Sequence, residues 1–157
     1  MTKFLFASLA SITSLFAGPV LADNLQVNIT YSEKAEKAFV ETYGERERET
    51  VRELIEENLN KSLGSQAARV DVIVNKVVAN RPTFKEMGDR PSLSLQSFGI
   101  GGADVSGKAY DAAGNLLGQV SYDWYGDIHW ADSAWTWTDA NRALYQFSRR
   151  LADAVPG

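Results

Sequence analysis

One short stretch holds most of the side chains in this sequence that could do chemistry. His129 is the only histidine, and Asp127 and Asp132 stand on either side of it. An imidazole between carboxylates can bind a divalent cation or move a proton. Ser121 and Ser133 are near enough in sequence to suggest a hydrolytic triad with His129 as base. Neither serine sits in the glycine-flanked elbow that would present it as a nucleophile. A loop histidine that hydrogen-bonds locally is the simpler expectation. Asp123, Asp127 and Asp132 beside tryptophans also have the composition of a glycosidase groove, where one carboxyl is protonated and another ionised. Aspartates in a turn-rich connection more often close local turns with their own backbone. No catalytic, cofactor-binding or metal-ligating residue is therefore assigned, and no cofactor is expected.

Binding is the better-supported chemistry. All four tryptophans lie between Val120 and Phe147. Trp130, Trp135 and Trp137, with His129, Asp127 and Asp132, form the candidate binding surface; the alternative is a loop that folds back and buries its rings over the sheet, with at least one left exposed. Indole faces stack on sugars and anchor protein interfaces. Arg81, Lys85 and Arg90 make a second candidate surface, suited to an acidic partner.

The elements that must position these residues are legible from periodicity. Leu25, Val27, Ile29 and Tyr31 alternate with polar residues, which predicts a strand with one buried face. Ala35, Ala38, Phe39 and Tyr43 then recur at helical spacing, as a short helix or an irregular lead-in. Val51, Leu54, Ile55, Leu59 and Leu63 predict an amphipathic helix over 45–63, stopped by Gly64. The charges of 45–57 read as its solvated face. Residues 69–79 read as a central strand, with Val70, Val72, Val74 and Val78 on one face. Residues 80–102 are long for a structureless loop, and Leu93 and Leu95 suggest a short strand inside it. Two alternating runs, 103–110 and 116–124, flank a glycine-containing turn and predict a β-hairpin. Thr136 to Asp139 has the spacing of a capping box. It precedes a helix whose apolar face is Ala140, Ala143, Leu144, Phe147, Leu151 and Ala154. Gly99, Gly101 and Gly102 precede a strand, so they read as close backbone approaches and not as a phosphate loop, which opens a helix.

Lys3, the apolar run Phe4 to Phe16, the break at Gly18-Pro19 and the small residue Ala22 have the layout of a secretory signal peptide over residues 1–22. Residues 23–157 are then expected to form a single globular domain, exported to the periplasm. The chain has no cysteine, so disulfides and thiol chemistry are excluded. Its net charge is −4 with His129 neutral, which argues against nucleic acid as a partner. No second long apolar run follows, so stable membrane insertion after cleavage is not expected.

The element order β-α-β-(β)-β-β-α predicts an α+β fold. It should be a two-layer sandwich: an antiparallel or mixed sheet of about four to five strands, with two main helices on one face. The segments Asn80 to Phe84, Ser97 to Ala103 and Trp137 to Ala140 resemble stretches of uncharacterised exported proteins of Gram-negative bacteria. The topology is also similar to small periplasmic envelope-assembly domains of the curli-secretion type and the amino-terminal Tol-propeller type. The resemblance implies envelope residence and carries over no catalytic residue. The expected role is a non-enzymatic periplasmic domain acting through protein or envelope contacts. The competing role is an envelope glycan binder, or a glycan-active protein, using the loop Tyr125 to Trp137.

Overall fold

The computed structural model describes residues 25–156, so the leader predicted over 1–22 lies outside the described residues. The fold is α+β. Four strands, β1 (Gln26–Tyr31), β2 (Arg69–Val78), β3 (Gly102–Tyr110) and β4 (Leu116–Tyr125), form one sheet in that spatial order. β1 and β2 are parallel, and the other neighbours are antiparallel, so the sheet is mixed. The parallel pair follows from its connection. The chain crosses over through helix α1 (Glu33–Ala38), a π-type turn (Phe39–Tyr43) and helix α2 (Glu45–Leu63). Ser32 caps α1, its hydroxyl accepting from the Ala35 amide at 3.2 Å.

Helix α4 (Thr138–Asp153) lies across β3 and β4 and packs against α2. Val51, Ile55, Leu59 and Leu63 of α2 meet Leu144, Phe147 and Leu151 of α4 in one core with Val70, Val72, Val74 and Val105. The amide of Asn58 on α2 donates to the Asn141 side-chain carbonyl on α4 at 2.8 Å, so one polar contact sets how the two helices meet. Among the described residues, no helix covers the opposite face of the sheet. It carries Asp71, Ser106, Lys108, Gln119 and Ser121, with Ile73 half-exposed.

Four local features differ from the sequence reading. The register of β2 against β3 shifts between Val74 and Lys76, so Val77 joins the buried face in place of Val78. A bulge adds one residue and inverts the alternation beyond it. Leu93 and Leu95 lie in turns and not in a strand. The regular element of that segment is a third short helix, α3 (Phe84–Asp89). Thr136 is not a helix cap: α4 starts at Thr138 with Trp137 as the preceding residue, and Asp139 is drawn away to Asn80. Past Leu151 the buried residue is Val155, while Ala154 is exposed.

A cleft built on a polar knot

One end of the domain is made by the carboxyl ends of β2 and β4, the start of β3 and the start of α4. Asn80, just past β2, is 1% exposed and ties these together. Its side-chain amide donates to the Asp139 carboxylate at 2.6 Å and to the Gly99 carbonyl at 3.2 Å. Its side-chain oxygen accepts from the Asp139 amide at 2.9 Å. Its own backbone amide donates to the Thr136 carbonyl, and its carbonyl accepts from Gly99. The Gly101 amide completes the knot by donating to Asp139 at 3.3 Å. A Cβ on Gly101 would stand 2.5 Å from the Asn80 side-chain oxygen, and one on Gly126 would overlap the Asp139 carboxylate. These glycines serve close approach. The three segments 80–84, 97–103 and 137–140 thus meet at a single part-buried network centred on the buried Asn80.

The knot holds up a cleft. Arg81 reaches across it, donating from Nε to the Ala134 carbonyl at 2.6 Å and from a terminal nitrogen to the Leu95 carbonyl at 2.7 Å. Thr83 and Glu86 form a reciprocal capping box that starts α3. Between these supports lies a cleft of about 550 Å³, walled by Pro82, Phe84, Met87, Leu95, Ala134 and Trp135. That volume falls within the range of about 300–1,000 Å³ typical of ligand sites. Trp135 is 83% exposed at its rim, and Phe84 and Leu95 are exposed as well. The Arg46 guanidinium lies 5.8 Å from the Phe84 ring centre. Glu47 borders the cleft but is engaged, accepting from the Trp137 indole nitrogen at 2.7 Å.

The sequence-selected residues take different places. Trp137 is 7% exposed and packs edge-on against Tyr43, so it belongs to the core and not to a ligand surface. Trp130 is 75% exposed. His129 and Asp127 are exposed, with His129 Nδ1 at 2.6 Å from the Asp127 carboxylate. The His129 amide and then its ring hold the Asp127 carboxyl below the ordinary aspartate range. That is the opposite of what a general acid needs. Asp132 lies on a six-residue 3-10 helix, Ile128–Ser133. Asp123 faces out from β4 opposite Asp104, and Asp139 is bound in the knot, so Asp123, Asp127 and Asp139 occupy three separate settings. Arg81 is a structural brace. Lys85 pairs with Asp89 and donates to the Glu41 carbonyl, while Arg90 is exposed beside Leu93 and Phe98.

Phe84, Met87 and Leu95 were not selected from the sequence. The signal for Phe84 was present, because Thr83 to Glu86 has the capping-box spacing that fixes a helix start. Comparison with protein-family models, with curated proteins and with solved structures yields no match.

Proposed function

We propose that this chain is a non-enzymatic periplasmic domain that works by binding, and that the cleft under Trp135 receives an apolar side chain of a protein partner. The observation that carries this reading is the exposed Trp135 at the rim of an apolar cleft whose backbone is fixed by the Asn80 knot. Rigid aromatic anchors next to preformed pockets are where binding energy concentrates at protein interfaces. The carboxyl of Asp127, held low by its bonds to His129, speaks for binding over a general-acid role at that residue.

The test is photo-crosslinking in cells from a reactive residue replacing Trp135, with Ile73 on the open sheet face as control. A discrete adduct from position 135, absent from position 73 and abolished by Leu95→Glu, is expected. Equal adducts from both positions, or indifference to Leu95→Glu, would sink the reading. Export is tested by fractionation and amino-terminal sequencing, with Asp23 expected as the first residue.

The glycan reading is kept for one reason: Trp130 and Trp135 are both exposed, as sugar-stacking indoles must be. Tryptophan fluorescence titrated with peptidoglycan fragments and oligosaccharides separates the two. A saturable change lost in Trp135→Ala would favour the glycan over the protein partner.

A further inference from the structure

Among the described residues, strand β4 pairs with β3 along one edge and ends the sheet on the other. Such an edge offers unpaired backbone groups to an incoming strand. The Gly126 amide donates to the Gly101 carbonyl, and the register runs on from there through Gly102 opposite Tyr125. Hydrogen-bonded pairs alternate in an antiparallel ladder. The amides of Trp124, Tyr122 and Val120 therefore turn toward β3, and those of Asp123, Ser121 and Gln119 turn toward the free edge. Gln119 to Tyr125 contains no proline and no lysine, and its one charged residue is Asp123, which points to the open face of the sheet with Asp104.

The surroundings of that edge are basic. Arg142 and Arg150 of α4 lie over the rings of Trp124 and Tyr122, at 5.3 and 4.6 Å. Both are exposed, and among the described residues neither makes an ion pair. Arg48 and Arg52 of α2 behave differently, each bound to a glutamate. In a chain of net charge −4, this is a local positive stripe running beside an open strand edge.

We infer that the free edge of β4, with Arg142 and Arg150, is a strand-addition site for an extended acidic peptide segment of a partner protein. Main-chain bonds to Gln119, Ser121 and Asp123 would hold the segment. Its acidic side chains on the α4 side would meet the two guanidiniums, which fixes polarity of charge and register together. A second copy of this chain fits less well, since β4 against β4 sets the arginines of both copies along one seam. The site is separate from the Trp135 cleft, so either can fail without the other.

Amide-correlation NMR with two octapeptides, alternating glutamate–threonine and alternating lysine–threonine, tests this. The acidic peptide is expected to shift the Gln119, Ser121 and Asp123 amides, and to bind about tenfold more tightly than the basic one. Arg142→Glu with Arg150→Glu should remove that preference. Ser121→Pro deletes one outward amide without touching the β3 ladder, and edge positions tolerate proline. It should abolish binding while the thermal midpoint stays near that of the parent. Shifts mapping elsewhere, equal affinity for both peptides, indifference to charge reversal, or dimerisation through β4 would overturn the assignment.

Discussion

Two tryptophans two residues apart have opposite roles, and substitution should separate them. Trp137 is buried, packs edge-on against Tyr43 and donates to Glu47. Trp137→Ala is expected to cost about 3–5 kcal/mol in urea unfolding, the range for truncating a buried aromatic ring. Trp135→Ala should change stability by less than about 0.5 kcal/mol, because an exposed side chain away from caps and networks carries little. The sequence shows both as indoles in one loop. It does not show which ring turns inward, since that is decided by contacts with Tyr43 and Glu47, distant in the chain. Titration tells the same kind of story at Tyr31. Burial pushes its hydroxyl up to about 12, and the hydroxyl makes no hydrogen bond within the described residues. Its folded value lies above the unfolded one near 10. The neutral form is therefore shared by both states below about pH 10, and stability falls as pH rises through about 10 to 12. Tyr31→Phe should flatten that alkaline decline and leave stability at pH 7 nearly unchanged. Equal alkaline slopes for parent and variant, from unfolding curves at several pH values, would count against it.

At the scale of elements, the helices α2 and α4 and the β3–β4 hairpin were legible because each carries its own period over many residues. The segment 80–101 was not, because its order comes from long-range side-chain bonds and not from a repeat. Helix α3 is only six residues long, too short to persist without help. Its capping box and its place against the π-type turn are what keep it in register. Thr83→Ala removes the cap and should cost about 1 kcal/mol. Because α3 supplies Phe84 and Met87 to the cleft wall, the same variant should also weaken the adduct formed from position 135. Unchanged stability would mean that tertiary contacts alone hold the helix. The bulge in β2 belongs here as well. Val77 and Val78 are alike as sequence, and which of them is buried depends on pairing with β3.

For the whole molecule, the sequence anticipated two layers, a mixed or antiparallel sheet and two main helices, because one apolar face per element admits few packings. It named the aromatic loop as the place to look, but of the loop's tryptophans only Trp135 lines the cleft with Phe84 and Leu95. What joins the layers to that cleft is the Asn80 knot, and this yields the last prediction. If the knot couples the irregular segment to the core, the amides of Asn80, Gly99, Gly101 and Gly126 should exchange with deuterium as slowly as strand amides, opening only when the domain unfolds. All four donate within the network. Asn80→Ala would leave the Asp139 amide without its acceptor and the Asp139 carboxylate with only the Gly101 donor, at about 1–3 kcal/mol for an unsatisfied group. Exchange at Gly99, Gly101 and Gly126 in that variant should accelerate more than exchange in β2, since the segment is released before the core melts. Fast exchange at those glycines in the parent chain would show instead that the cleft is shaped by its partner on binding.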